Sequence, residues 1–213
     1  MTFRVICATI ITGDVMKDLC LVFAAGEYDF IPEIEKDSFI IAADGGEEML
    51  RRISVVPDVS IGDFDSLKTP PTGKEVISFP VKKDDTDTLL ALKEGIKRGF
   101  TRFKIYGALG GSISHTTANL QALSFLCEKG LEGSLIFKNG KITATKKGLS
   151  VPHPSSFSVF ALSGEAVIDI DGALYSGTDI NLTPFFPLGV SNKTKTDTKI
   201  TVKKGIVHIF EER

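Results

Sequence analysis

Short apolar runs and longer amphipathic stretches alternate along the first 132 residues. "CLVFAAG" (20–26), "SFIIAADGG" (38–46), "DVSIGDFD" (58–65), "EVISFP" (75–80) and "RFKIYGALGG" (102–111) read as short buried strands. "GGEEMLRRI", "DDTDTLLALKEGIKRG" and "SHTTANLQALSFLCEKG" read as helices. In the second of these, Leu89, Leu92 and Ile96 recur three and four residues apart, aspartates open the segment and Gly99 closes it. Strand and helix in alternation predict a parallel sheet covered by helices. "FRVICATII" (3–11) adds a candidate further strand.

From about Leu135 the pattern changes. "SLIFKNGKITATKKG" places Asn139-Gly140 between two β-prone runs, which predicts a hairpin. "SFSVFALS", "EAVIDIDGALYSG" and "KITVKKGIVHIF" continue as short alternating strands, and no helical period follows residue 132. The expected architecture is an N-terminal Rossmann-like α/β domain over 1–132 with a parallel sheet. An all-β sandwich over 133–213 follows it.

Composition narrows the setting. Of 213 residues, 42% are hydrophobic and 24% charged, an ordinary globular balance, and the net charge is −2. That charge gives no general attraction to nucleic acid or to an acidic membrane surface. The basic block "NKTKTDTKITVKK" (192–204) alternates lysine with threonine and reads as one solvated strand face. Cys7, Cys20 and Cys127 are scattered and odd in number, as expected of reduced thiols. The opening apolar run is closed by Asp14 with no small-residue cleavage site after it, so it is not read as a signal peptide. No apolar stretch approaches the roughly 20 residues a membrane-spanning helix needs. The expectation is a soluble cytoplasmic protein with no nucleic-acid or membrane partner.

The chemistry gathers where the strands end. In open parallel sheets, ligands bind beyond the carboxyl ends of the strands. There this chain places Gly26 and Glu27; Asp44, Gly45 and Gly46; Asp63 and Asp65; Lys82, Lys83, Asp84 and Asp87; and Gly110 with Gly111. Glycines let backbone N–H groups approach phosphate oxygens, and lysine offsets phosphate charge. Asp63 and Asp65 stand one residue apart and repel each other unless a cation lies between them. Mg²⁺ suits that role, because it takes a few carboxylates together with phosphate oxygens and water. A calcium loop starting at Asp63 is excluded, since Lys68 stands where glycine is required and Lys74 where a glutamate is. Taken singly, "GDFDS" is a surface turn and "DDTD" an acidic helix start; their joint location at successive strand ends is what points to phosphate and metal.

"ADGGEEML", "PDVSIGDFDSL", "KKDDTDTLLAL" and "GALGGSISHTTANL", in this order and spacing, resemble the motifs of the thiamin pyrophosphokinase family. "GALYSG" and "GVSNKT" resemble its C-terminal stretches, so the likeness runs from about residue 20 to 210. The resemblance implies an enzyme that transfers diphosphate from ATP to the hydroxyethyl group of thiamin, leaving AMP. It implies an α/β domain followed by a β-sandwich, assembled as a homodimer. Carried over by position, Asp44, Asp63, Asp65 and Asp87 form the catalytic acidic cluster, with Asp63, Asp65 and Asp87 as Mg²⁺ ligands. Gly26, Gly45, Lys83, Gly110, Gly111, Ser112, His115 and Asn119 bind ATP and its phosphates. Tyr175, Ser191 and Asn192 form the thiamin pocket.

The chain also departs from the family pattern. Ser112 and Ser114 replace an arginine and an aspartate in the glycine loop, and Glu47 and Glu48 replace an Ala-Asn pair. Two other readings follow from these residues. One is a catalytically impaired thiamin or nucleotide sensor of the same fold. The other is a metal-dependent nucleotide-sugar transferase using Asp63 and Asp65, which leaves "DDTD" and "VSN" without a role.

Overall fold

The computed structural model describes residues 18–82 and 84–212. The strand expected over 3–11, Cys7 and Lys83 lie outside them. Six strands lie side by side and parallel: β1 (Leu19–Phe23), β2 (Phe39–Ala43), β3 (Val59–Gly62), β4 (Glu75–Ser78), β5 (Arg102–Tyr106) and β6 (Glu132–Phe137). Their order across the sheet is β4-β3-β2-β1-β5-β6. The chain therefore runs outward from β1 to one edge and then returns to the other side of β1.

Helices α1 (Gly46–Arg52), α2 (Asp87–Lys97) and α3 (Ile113–Glu128) follow β2, β4 and β5. The strand period of two divides each apolar run between the two faces of the sheet. Leu21, Phe23, Ile40 and Ala42 pack with Met49 and Leu50 of α1. Cys20, Val22, Ile41 and Ala43 pack on the other face with Leu90 and Leu92 of α2 and Leu123 and Leu126 of α3. Burial on both sides explains why these runs read as continuously apolar. β4 differs from the buried strand expected of it. It occupies the sheet edge, paired with β3, and its Glu75, Val76 and Ser78 are exposed. Cys20 and Cys127 are buried and unpaired, and burial pushes both thiols up.

Beyond α3 the described residues form strands only: β7 (Gly140–Thr145), β8 (Gly148–Val151), β9 (Ser156–Phe160), β10 (Ala166–Ala173), β11 (Gly177–Leu182), β12 (Asn192–Lys204) and β13 (Val207–Glu212). β6 pairs parallel with β5 and antiparallel with β7, so hydrogen bonding runs on unbroken through β13, β9, β12, β10 and β11, with β8 on β12. Val151, Phe157, Val159, Ile168, Ile200 and Ile209 enclose a second apolar core. β12 alternates buried and exposed positions over much of its length, and its lysines are exposed as expected.

The hairpin between β6 and β7 turns one residue earlier than the Asn139-Gly140 signal predicts. Phe137 pairs with Gly140, which leaves Lys138 and Asn139 in the turn. Gly140 serves a different purpose: a Cβ there would lie 1.8 Å from the Glu211 carbonyl oxygen of β13. No helix among the described residues is long and apolar enough to cross a membrane.

Candidate active site

The loops after β1, β2, β3 and β5 and the first turn of α2 follow from this topology. The sequential order reverses beside β1, so the loops after β1 and β5 face each other. Such a reversal is where open α/β sheets leave a ligand crevice.

Asp44 leaves β2 in a left-handed conformation (φ 44°), and its N–H donates to the Ile61 carbonyl at 2.8 Å. The neighbouring strand end can come this close because residue 62 is glycine; a Cβ there would lie 3.1 Å from that of Asp44. Ser66 Oγ donates to Asp44 Oδ2 at 2.8 Å. Asp44 Oδ1 is buried, with no hydrogen-bond partner among the described residues. A buried carboxylate oxygen left open in this way is costly unless a ligand or cation satisfies it. In the adjoining loop, the Asp65 N–H donates to Asp63 Oδ1 at 3.3 Å, and Phe64 between them is held at φ 60°. This local turn places the two aspartates beside Asp44 and Ser66.

Asp87 is the first residue of α2, and Thr86 caps the helix, its Oγ1 accepting from the Leu89 N–H at 3.2 Å. Because α2 packs on β1, β2 and β3, its first turn belongs to the same end of the sheet. All donors offered here are carboxylate oxygens, the type that Mg²⁺ prefers. Among the described residues no three His, Cys, Asp or Glu groups are already gathered around one point. Mg²⁺ held by one or two carboxylates and completed by phosphate and water needs no such cage.

On the other side of β1 the glycine loop is laced to the chain after Ala24. Gly26 and Glu27 donate their N–H groups to the Gly107 and Leu109 carbonyls at 2.8 and 3.0 Å. The Tyr28 hydroxyl donates to the Ala24 and Tyr106 carbonyls at 2.8 and 3.2 Å, and burial pushes its ionisation up, so it remains a donor. Gly110 and Gly111 both take positive φ and lead into Ser112, the N-cap of α3. Ser112 Oγ lies 2.7 Å from Ser114 Oγ and accepts from the His115 N–H at 3.5 Å. His115 is exposed, whereas Asn119 is buried and donates to the Ala108 carbonyl at 2.8 Å. Asn119 therefore fixes the loop from behind.

The C-terminal candidates also meet. Asn192 is buried, accepts from the Tyr175 N–H at 3.0 Å and donates to the Tyr175 carbonyl at 2.9 Å. Ser191, at φ 59°, donates its N–H to Ser158 Oγ at 3.1 Å. Tyr175 is left 66% exposed and aromatic. Among the described residues no hydrogen bond or ion pair joins this group to the strand-end loops. Lys83 lies outside the described residues.

Glu47 was not among the expected site residues. It is fully buried on α1, accepts from Ser60 Oγ, and accepts from the Thr72 N–H and Oγ1 at 3.1 and 2.9 Å. Ser60 Oγ in turn accepts from the Gly73 N–H at 2.9 Å. Arg51 Nη2 donates to the Thr69 carbonyl at 3.3 Å, so α1 grips the far end of the loop that begins with Asp63. The available signal was position: Glu47 precedes Leu50 by three residues on the buried stripe of α1. Phe185 and Phe186, exposed near the second core, were also not singled out from "TPFFPLG".

Residues 31–132 match the family model described as the thiamin pyrophosphokinase catalytic domain. A thiamine pyrophosphokinase of Bacillus subtilis is 27% identical over 118 residues, which span 51% of this chain and 55% of that protein. In fold the chain is similar to a crystal structure of thiamine pyrophosphokinase from B. subtilis, with TM-score 0.79, 22% identity, and coverage of 91% of this chain and 98% of that one. A thiamin pyrophosphokinase family protein from Enterococcus faecalis gives TM-score 0.78 at 24% identity, over 92% and 98% of the two chains. The yeast enzyme gives 0.73 at 14%, over 94% and 87%. The catalytic-domain match over 31–132 spans just under half of this chain, and the chain shares the mixed α/β fold of these thiamin pyrophosphokinase structures.

Proposed function

We propose that this chain transfers diphosphate from ATP to the hydroxyethyl oxygen of thiamin, giving thiamin diphosphate and AMP. The observation that carries this reading is the open, buried Oδ1 of Asp44, held beside the Asp63–Ser66 turn within the region matched by the catalytic-domain model. The division into a Rossmann-like domain over 1–132 and a β-sandwich over 133–213 belongs to the same proposal.

The reaction joins the alcohol oxygen to the β-phosphorus and breaks that phosphorus from the oxygen it shares with the α-phosphorus. AMP leaves with the electron pair of that bond. Such a transfer depends on placement and charge neutralisation more than on covalent help. Mg²⁺, held by carboxylates of Asp63, Asp65 and Asp87, would offset phosphate charge. Asp44, fixed by Ser66, keeps an oxygen turned to the same region, and one of the four aspartates takes the alcohol proton. Gly26, Gly45, Gly110 and Gly111 offer backbone approach to the phosphates, with Ser112 and His115 beside the last two. Asn119 supports the loop, and Lys83 is assigned to phosphate from its place in the sequence alone. Tyr175, positioned by Asn192 beside Ser191, offers an aromatic face to the thiazolium cation of thiamin.

A second copy of the chain would bring Tyr175 to the strand-end loops. The exposure of Tyr175, Phe185, Phe186 and Leu188 supports such a homodimer. A cytoplasmic setting agrees with the free buried thiols.

The test is ³¹P NMR of purified protein with ATP, Mg²⁺ and thiamin. AMP and thiamin diphosphate should appear together and require all three components. ADP in place of AMP would overturn the diphosphate transfer. Thiamin binding without turnover would replace the enzyme by a sensor.

A further inference from the structure

The point where the strand order reverses is occupied by a side chain. The Gly111 N–H, in the loop that opens α3, donates to Glu27 Oε1 at 3.0 Å. The glutamate lies directly across the loop, since a Cβ on Gly110 would come within 2.7 Å of the Glu27 carboxyl carbon. Its backbone is held in place by its own N–H on the Leu109 carbonyl at 3.0 Å. Glu27 thus meets the glycine loop twice, once through its main chain and once through its carboxylate.

A carboxylate accepting from a backbone N–H just ahead of a helix is chemically what a phosphate oxygen would be there. We propose that Glu27 is a strap on the nucleotide-phosphate loop: it holds Gly110 and Gly111 in order when no nucleotide is bound, and nucleotide phosphate must displace it. This rests on the ATP reading above and adds to it a residue that sets ATP affinity. Two features make displacement feasible. Glu27 is exposed, so its carboxylate leaves into water without burying a charge. The main-chain bonds of Gly26 and Glu27 keep the two loops together when the side chain swings away. Clefts of about 390 and 220 Å³ flank it, one towards Gly45 and Arg52 and one towards Phe30 and Phe137.

The strap has a directional consequence. Two unit charges about 4 Å apart repel by about fivefold in an equilibrium constant even at the dielectric of water. Displacement also costs the Gly111 hydrogen bond. Removing the charge at position 27 should therefore tighten nucleotide binding, the reverse of what loss of a binding residue does.

The experiment is titration of the full chain with Mg²⁺ and a non-hydrolysable ATP analogue by calorimetry, for wild type, Glu27→Gln and Glu27→Ala. The Gln variant keeps an acceptor for Gly111 without the charge, and circular dichroism checks that both variants fold. The expected result is a Kd about fivefold or more lower in both variants, with the difference shrinking as salt is raised. If wild type binds the analogue and the variants bind it equally or more weakly, the strap is overturned and the ATP reading stands. If none of the three binds the analogue while thiamin is still bound, the ATP reading falls and takes the strap with it.

Discussion

Ser66 donates its hydroxyl proton to Asp44 across 2.8 Å, joining two loops that are 22 residues apart in the chain. This contact leaves one oxygen of Asp44 satisfied and the other buried and open. It links the "ADGG" and "GDFDS" motifs through side chains.

Asp44 and Ser66 should therefore lose function together but unequally. Ser66→Ala removes a hydrogen bond to a charged group, worth about 1.5–3 kcal/mol, and should lower kcat on the order of tenfold. Asp44→Asn should lower it on the order of a hundredfold or more. Steady-state kinetics at saturating ATP and thiamin reads both, and an unchanged Asp44→Asn would remove Asp44 from the site.

Asp65 is exposed, so its replacement costs the fold little. Asp65→Asn should abolish Mg²⁺-dependent turnover with the Tm unchanged. Calorimetry beside an Mg²⁺ titration of activity separates the two effects. Near-normal activity at ordinary Mg²⁺ would take Asp65 out of the ligand set.

Glu47 predicts loss of stability. Glu47→Ala strips a buried acceptor from Ser60 and from both donors of Thr72. Each buried donor left unsatisfied costs about 1–3 kcal/mol, so urea unfolding should show a loss of about 3 kcal/mol or more. Glu47→Gln, which retains one acceptor, should lose less.

His208 should make stability depend on pH. It is fully buried, and its Nε2 donates to the Leu120 carbonyl at 3.2 Å, leaving Nδ1 without a partner among the described residues. Burial lowers its pKa below the ordinary value, while the unfolded chain titrates near about 6.5. Below that pH the unfolded state binds the extra proton and the native state resists it, so stability rises with pH. The contribution is complete above about pH 6.5 and is lost as pH falls through the native value. His208→Gln should flatten the difference between urea midpoints measured at about pH 7.5 and 5.5; an unchanged difference would assign the dependence elsewhere.

Asn192 holds the Tyr175 main chain from both sides. Asn192→Ala should raise the KM for thiamin about tenfold, as expected for loss of one or two hydrogen bonds, and leave the KM for ATP unchanged. A lower apparent kcat with both KM values unchanged would mean that the effect is loss of folded enzyme, and equal rises in both KM values would mean that Asn192 does not act on thiamin selectively.

The relation between sequence and structure differs from element to element. Apolar runs flanked by glycine and aspartate marked β1, β2, β3 and β5, because a strand buried on both faces must be apolar throughout. The capped, periodic segments marked α2 and α3. Asp44, Asp63, Asp65 and Asp87 stand just after β2, just after β3 and at the start of α2, the element ends where the sequence pattern put them. Which side chains meet was not legible. Glu47 reads as one more acidic residue at a helix start, yet it is buried by Ser60 and Thr72, which come from 13 and 25 residues away. Gly140 reads as a turn glycine, but the close approach of β13 decides its role. Glu27 reads as a surface charge, and only the pairing of β1 with β5 lays it across Gly110 and Gly111. Local sequence determined the elements and the residues available for chemistry, because periodicity and turn propensity act over a few neighbours. The tertiary structure alone decided which polar groups are satisfied and which stay open, because that depends on strands brought together from distant parts of the chain.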